Sequence, residues 1–326
     1  MQVVPVEDVP GLEAFHAVEV ACRAHDHVGL PADPLEELLP LLDPSLPAAG
    51  EKRLLRVAFD GTDVVGAADL SIPTLDNLSS ASVTVFVPPP LRGAGIGRRI
   101  LDALLAETAA LARPRLFFEA PSPYPTGPGI ADSLLASVGA RPVLKEVRRL
   151  LDLRAVDIAP PPAPPGYRFV PWVDRVPEEH LDGMAHLMHR MSVDVPLGDM
   201  DWEPEVWDGK RYRDKEESAM GRGRTRYAVL AVHESSGEVV AFTDIGVSRF
   251  APETAYQWET IVTTGHRGHG LGFALKAHNH RALATGSPQT RWVNTWNAES
   301  NTHMVAINER LGFSPMDYWT EWQLDR

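Results

Sequence analysis

The sequence has a single cysteine, Cys22, among its 326 residues, and it carries 31 basic residues against 44 acidic ones. One cysteine cannot form a disulfide within the chain, which is typical of proteins in a reducing cytoplasm. We interpret Cys22 as a small buried hydrophobic residue. The formal net charge of -13 argues against nucleic acid as a partner, because phosphates are bound by basic surfaces. It favours a cationic partner.

Long apolar runs and a secretory leader pattern are also missing. No run approaches the roughly 20 apolar residues that span a bilayer. The N-terminal stretch MQVVPVEDVPGLEAF contains acidic residues and lacks the basic and then apolar arrangement of a signal peptide. We therefore expect a cytoplasmic protein without a membrane partner, and the sequence leaves its oligomeric state open.

The sequence also lacks a metal-binding pattern. Four histidines lie within fifteen residues, but His278 and His280 are two positions apart and point in different directions on a helix. No HExxH motif and no Cys/His set is present, although such sets are typical of zinc sites. We expect no metal. The remaining two histidines of the group are His266 and His269.

Proline, in contrast, is concentrated near the middle of the chain. Residues 158–166, IAPPPAPPG, contain five prolines and cannot form a helix interior or a central strand. They predict a stiff linker, with a proline-rich loop inside one large domain as the alternative. Because the chain is long for a single core, we predict an N-terminal domain over 1–157 and a C-terminal domain over 167–326.

An internal repeat supports this division. VVGAADL begins at Val64 and VVAFTDI at Val239, which are 175 residues apart, and two RGxGxG segments begin at Arg92 and Arg267 with the same offset. Repeated features in the same order indicate duplication of one folding unit. A looser third match ends a helix-like run at Gly139 and at Gly312.

Each half has the same predicted order of elements. Alternating or apolar strand-like runs come before the RGxGxG segment, a segment with helical periodicity follows it, and further strands close the half. Mixed, mostly antiparallel strands with a helix between the middle ones predict an α/β (α+β) sandwich rather than a doubly wound sheet. The predicted strands of the second half are RYAVLAVHE, EVVAFTDIGV, AYQWETIVT, TRWVNTW and MDYWTEWQL.

The two RGxGxG segments predict an anion cradle. A helix N-terminus exposes unpaired N–H groups and the positive end of the helix dipole, and preceding glycines allow the backbone to approach a phosphate. The dinucleotide motif GxGxxG is excluded because Arg98 and Phe273 stand where its third glycine would be. Two ordinary glycine turns are the alternative, but two copies in register make that explanation weaker.

The surrounding residues resemble a known family. VPPPLRGAGIGRRIL and VTTGHRGHGLGFAL are similar to the acetyl-CoA-binding motif of the GNAT acetyltransferase superfamily. The second copy departs from this motif at Thr264, which stands in place of a proline. Further along the chain, NTHMVAINERLGF resembles the second motif of the superfamily, which it matches at Asn301, Gly312 and Phe313. The resemblance covers both halves and is closest to tandem members of the mycothiol synthase-like, actinobacterial group.

The resemblance implies acetyl-CoA as the co-substrate and direct transfer of its acetyl group to a bound amine. The residues implied in holding it are Val87, Arg92, Gly93, Ala94, Gly95, Ile96 and Gly97 in the first half, and Val262, Thr263, Thr264, Arg267, Gly268, His269, Gly270, Leu271, Gly272 and Asn301 in the second. A backbone N–H between Val262 and Thr264 is the expected donor to the oxyanion that forms during the attack.

Glu259 is the candidate general base. It lies eight residues before Arg267, on the strand where many members of the superfamily carry an acidic residue, and a carboxylate there can remove the proton of the amine. A role as a substrate anchor, or no role in the site, is the alternative. The acid tyrosine of the superfamily is replaced by Asn308 in the second half and by Leu135 in the first.

The halves also differ in ways that assign catalysis to the second. Pro128 stands where Asn301 would be, and Thr84 stands where Glu259 would be, so we expect a degenerate first half. In the second half, residues 192–212 combine six carboxylates with Trp202 and Trp207. Such a segment suits a cationic amine through ion pairs and cation–π contacts, with a solvated loop as the alternative.

These observations together predict a cytoplasmic N-acetyltransferase that uses acetyl-CoA to modify the primary amine of a small cationic molecule. A non-catalytic acyl-CoA-binding or regulatory protein is the alternative from a different class, because the acid tyrosine is missing. Mycothiol synthesis is a third possibility for which no thiol-sugar site is evident.

Overall fold

The computed structural model describes residues 1–43, 45, 50–157 and 159–326. These residues form one continuous sheet of twelve strands, flanked by helices on both faces. Along the sheet the order is β1-β2-β3-β4-β5-β12-β6-β11-β10-β9-β8-β7. In chain order from β1 to β12 the strands are Gln2–Pro5, Glu51–Asp60, Asp63–Pro73, Ser80–Phe86, Arg115–Pro123, Arg141–Asp152, Tyr167–Val173, Arg224–His233, Val239–Ser248, Thr254–Val262, Trp292–Ala298 and Ser314–Asp325.

The described helices pack on this sheet, and none of them is both long and apolar enough to cross a membrane. Short 3₁₀ turns add Leu39–Leu42, Pro89–Leu91, Glu178–His180 and Thr264–His266. In chain order from α1 to α8 the helices are Val9–Asp26, Leu35–Leu38, Ile96–Ala110, Asp132–Ser137, Leu181–Asp194, Gly209–Gly221, Leu271–Gly286 and Thr302–Leu311.

Local sequence explains where several helices begin and end. Asp8 begins α1 by accepting a hydrogen bond from the Gly11 amide, and Asp208 begins α6 in the same way with Arg211. Such caps satisfy N–H groups that the helix leaves unpaired. Gly312 ends α8 with φ at 96°, a left-handed conformation that favours glycine.

The last strand of each half crosses into the other half. β12 pairs with β5 over Asp317 to Asp325, and β6 pairs with β11 over Glu146 to Asp152. Trp322 of β12 therefore belongs to the hydrophobic core under α3 in the first half, whereas Leu151 of β6 belongs to the core under α7 in the second. The two repeats thus complete each other through exchanged strands.

This exchange predicts what happens when the chain is cut between the halves. A protease site placed in residues 159–165, which form no helix or strand, is expected to give two fragments that elute as one particle in gel filtration. Full ladders of sheet hydrogen bonds and two shared cores hold them together. Denaturant is the control that releases both fragments, and separation in native buffer would contradict the exchange.

The structure confirms the predicted fold class, with one difference. The expected strands around both RGxGxG segments are present, as is the helix closed by Gly312, but the two units share one sheet instead of forming two. Sequence patterns did not predict β1, β7, α1, α5 or α6. The domain boundary at 158–166 stays a prediction, and Ile158 lies outside the described residues.

Candidate active site

Each half contains a slot where two parallel strands separate. β10 and β11 pair only from Thr254–Tyr256 with Trp292–Asn294, and β4 and β5 pair only over three residues beginning at Ser80 and Arg115. Beyond these short ladders the strands diverge, so their facing N–H and C=O groups are left open. The slots lie at equivalent places in the two halves, as the repeat predicts.

The RGxGxG segments form matching turns at the mouth of each slot. Gly268 and Gly270 have φ of 82° and 78°, and Gly93 and Gly95 have 79° and 77°. These positive values favour glycine. A Cβ atom at any of these four positions would have no neighbour within 4 Å. The space beside the backbone is therefore open to a ligand.

The backbone amides of the second turn are free to bind an anion. In the described part of the chain, no protein acceptor takes a hydrogen bond from the N–H groups of residues 268–273, and the first amide of α7 with a backbone acceptor is that of Ala274, which donates to the carbonyl of Gly270. Free N–H groups at a helix N-terminus attract phosphate. This arrangement fits the pyrophosphate of acetyl-CoA, as the motif predicts.

Most of the predicted cofactor residues line two cavities. The cavity of the second half has a volume of about 640 Å³ and is lined by Val262, Arg267, Gly268, Gly270, Leu271, Gly272 and Asn301. That of the first half has about 440 Å³ and is lined by Val87, Arg92, Gly93, Gly95, Ile96 and Gly97. Ala94, Thr263, Thr264 and His269 are not among the residues lining either cavity.

Two of the predicted cofactor residues, Asn301 and Thr263, form hydrogen bonds within the protein. Asn301 caps α8 by accepting a hydrogen bond from the Met304 amide at 3.2 Å. The Thr263 amide donates to Val240 of β9 at 2.9 Å, so it is occupied. Because successive amides of a strand point to opposite edges, the Val262 amide points into the slot and is the best-placed oxyanion donor of this segment.

The two motif arginines are in different electrostatic states. Arg92 donates two hydrogen bonds to Asp26, at 2.7 and 2.6 Å. Burial opposes the ionisation of Asp26, but hydrogen bonds from Arg92 and His25 outweigh it and lower the pKa of the carboxyl. Arg267 is half exposed, and its nearest carboxylate, Asp194, lies 3.9 Å away. The second cradle therefore keeps a cation that is available to an anionic ligand.

Glu259 lies at a bulge on β10. The register of β10 against β9 shifts between Gln257 and Thr260, whereas β4 pairs with β3 without a shift. A bulge re-aims the side chains beside it. The Glu259 carboxylate lines a third cavity of about 900 Å³ that lies between the halves, and its Oε1 accepts a hydrogen bond from Lys215 of α6 at 2.5 Å.

The charge of Glu259 is set by three neighbours that the sequence did not reveal, the half-buried Lys215 and the buried Asp244 and Arg226. Burial alone would raise the pKa of Glu259, but Lys215, Asp244 and Arg226 lower it below its usual range. For Asp244, burial and the charge of Glu259 raise the pKa to about 7. Glu259 is therefore ionised at neutral pH, and its Oε2 atom has no protein partner in the described residues.

The acidic segment at 192–212 closes one side of this central cavity. Four of its six carboxylates are paired inside the protein, and one of them, Asp201, pairs with Arg115 of the first half. Trp202 packs edge-on against Phe117 of the first half at 5.5 Å. The four are Asp194 with Arg190, Asp201 with Arg115, Glu205 with Arg211, and Asp208 as the cap of α6.

Two of the four clustered histidines, His266 and His269, pack against Tyr167. His278 bonds to the carbonyl of Pro161 at 2.7 Å, and His266 bonds to Tyr167 at 2.9 Å. Over the described ranges, no group of three His, Cys, Asp or Glu side chains is placed to hold a metal ion.

Comparison with known proteins agrees with this geometry. Neither a protein-family model nor a curated protein matches the sequence. Among solved structures, a tandem GNAT protein from the clavulanic acid biosynthesis pathway, without AcCoA, is similar with a TM-score of 0.84 and 26% identity. That match covers 99% of this chain and 98% of the other.

Two more distant structures share the fold alone. A GCN5-related N-acetyltransferase from Sphaerobacter thermophilus has a TM-score of 0.68 at 20% identity, covering 99% of this chain and 95% of its own. Saccharomyces cerevisiae N-myristoyltransferase with bound myristoyl-CoA has a TM-score of 0.60 at 10% identity, covering 99% and 78%.

The fold, the paired slots and the cradles are thus those of GNAT-type acetyltransferases. Within that class, the full-length match is to a protein with two GNAT units in one chain, so the arrangement is that of a tandem GNAT protein. The predicted resemblance to the superfamily is confirmed. These matches give no support to the finer similarity with the mycothiol synthase-like group.

Proposed function

We propose that the protein transfers the acetyl group of acetyl-CoA to the primary amine of a small cationic molecule, and that the second half carries out the transfer. The observation that supports this most is the second slot itself. It combines free amides at 268–273, an available Arg267 and the ionised Glu259 on the adjoining strand.

Each part of this site has a physical task. The amides and Arg267 hold the diphosphate, and the Val262 amide stabilises the oxyanion as the amine attacks. Glu259 faces the central cavity, from which the amine approaches, and its carboxylate attracts the ammonium form and accepts the proton. The bound acetyl-CoA supplies the activated acyl group. In the first half, Arg92 is held by Asp26 and Thr84 replaces the acid.

Gly270→Glu is expected to weaken acetyl-CoA binding in the second half by at least about 50-fold, because a carboxylate in the cradle repels the diphosphate. Calorimetric titration of acetyl-CoA into the wild type and the variant measures this. If the wild type shows one acetyl-CoA site and the variant shows none, the second half is supported as the working site. If the wild type shows two sites and the variant keeps one, the first half also binds acetyl-CoA.

A matched control separates charge from backbone strain. Gly237 has φ of 75° and open space beside it, like Gly270, but lies in the turn between β8 and β9. Gly237→Glu is expected to bind acetyl-CoA as the wild type does. If the wild type binds no acetyl-CoA at all, the proposed function is wrong. Once binding is established, a panel of primary amines tests for acceptors.

A further inference from the structure

Lys276 is an unusual group that the proposed mechanism does not use. It lies on α7, directly after the second cradle, and its side chain is buried with only 1% of the residue exposed. No carboxylate forms an ion pair with it among the described residues. A buried ammonium without a counter-ion is costly, so its presence calls for a physical explanation.

Lys276 begins a short chain of hydrogen bonds. Its Nζ donates to Oδ1 of Asn308 on α8 at 2.6 Å, and Nδ2 of Asn308 donates to Oδ1 of Asn297 on β11. An ammonium group can only donate. It therefore orients both amides in one direction, so that each presents its N–H groups away from Lys276. Aligned bonds of this kind strengthen one another.

The far end of this chain lies on a strand that borders the slot. Asn297 is half-buried on β11, beyond the short ladder in which β11 pairs with β10. The neighbours of Asn308 on α8, Met304 and Ile307, line the cavity of the second half. Asn308 also occupies the position that the superfamily resemblance assigns to the acid tyrosine. The chain thus runs from a buried cation to the strand that borders the slot.

We propose that Lys276, Asn308 and Asn297 together form the site that stabilises the sulfur of coenzyme A as it leaves during acetyl transfer. This inference rests on the proposed function. Asn297 would contact the sulfur through its free N–H, whereas Lys276 and Asn308 act as positioning residues behind it.

The step balances without a protein acid. The amine nitrogen forms its bond to the acetyl carbon, the carbon–sulfur bond breaks, and the electron pair leaves with sulfur as a thiolate. The amine proton goes to Glu259. The hydrogen-bond chain stabilises the thiolate without giving up a proton, in the way that preorganised donors stabilise other developing anions. The missing tyrosine is therefore not required.

The charged surroundings of Lys276 fit this role. Burial lowers the pKa of Lys276 to about 7, so an arriving anion can hold it in the charged form at neutral pH. His280, one turn further along α7, is neutral because burial and Lys276 lower its pKa to about 3. Other charged groups of the neighbouring elements are Arg149 of β6, which is attracted by Glu309 of α8, and Arg310 of α8, which lies over the ring of Phe273.

The ionisation of bound coenzyme A tests the proposal without an acceptor. The thiolate absorbs in the ultraviolet, and desulfo-coenzyme A supplies the baseline. At a given pH below the thiol pKa, coenzyme A bound in the second half of the wild type is expected to contain about tenfold more thiolate than free coenzyme A. In Lys276→Met this excess is lost, and Asn308→Leu gives the same result.

Control variants separate this effect from a change in folding. His280→Leu removes another buried polar group of α7 and is expected to keep the excess thiolate. Lys276→Met is expected to be at least as heat-stable as the wild type, because it removes a buried unpaired cation. Bound coenzyme A that ionises like the free thiol, or a Lys276→Met variant that keeps the excess, would overturn the proposal. Failure of the wild type to bind coenzyme A would instead overturn the proposed function, and this inference with it.

Discussion

Glu259→Gln is expected to lower kcat for acetyl transfer by about 100-fold or more while leaving the affinity for acetyl-CoA unchanged. Glutamine has the same size as glutamate but cannot accept a proton, and a positioned general base contributes about 100- to 10,000-fold to such reactions. Release of the coenzyme A thiol, measured with the best acceptor from the amine panel, gives the rate. Calorimetry gives the affinity.

The control for this variant is Glu253→Gln. Glu253 is exposed just before β10, so its substitution is expected to change neither rate nor affinity. A Glu259→Gln variant with raised KM and unchanged kcat would show an anchor for the amine instead of a base. Unchanged values of both constants would remove Glu259 from the mechanism.

The pH dependence of the wild type bears on the same carboxylate. Its pKa lies below the usual range, so Glu259 stays ionised as the pH falls from 7 to 5 and the base is not lost there. Lys215→Met removes the closest counter-charge, raises the pKa of Glu259 and moves the loss of the base toward higher pH. The kcat profiles of the two proteins are expected to differ in this direction.

Arg226→Met is expected to lower the free energy of unfolding by about 3–5 kcal/mol. Arg226 and Asp244 are 6% and 1% exposed and form an ion pair, in which Nε lies 3.1 Å from Oδ2. Loss of the guanidinium leaves Asp244 buried beside the charge of Glu259, so in the folded state Asp244 must stay charged without its counter-ion or take up a proton, and either costs stability. Urea unfolding followed by tryptophan fluorescence measures the effect.

Two further variants define the cause of this loss. Arg226→Met combined with Asp244→Leu removes both charges and is expected to recover much of the stability, since apolar replacement of a whole buried pair is often neutral. Arg98→Met breaks an exposed pair with Asp102 on α3 and is expected to change stability by less than about 1 kcal/mol. If Arg226→Met also lowers the free energy of unfolding by less than about 1 kcal/mol, the buried pair contributes little to stability.

The sequence by itself determined the repeated unit and the places of the cradles. The spacing of 175 residues, the positive-φ glycines at 268 and 270, and the helix that follows them are local properties of the chain. Glycine conformation and helix initiation depend on neighbouring residues, and for that reason the motif predicted both cradles. The order of strand-like and helix-like segments predicted the fold class. The resemblance to the superfamily supplied the expected cofactor residues around Val262 and Gly270, and these two residues line the cavity of the second half.

Only the tertiary structure decided which charges meet and which strands pair. The exchange of β6 and β12, the ion pair of Arg92 with Asp26, and the contact of Lys215 with Glu259 join residues that lie far apart in the sequence. Periodicity reveals which face of an element is buried but not what lies against it. A buried charge, moreover, takes its pKa from partners that packing brings together. The states of Glu259 and Lys276 therefore follow from the assembled sheet and not from the motifs around them.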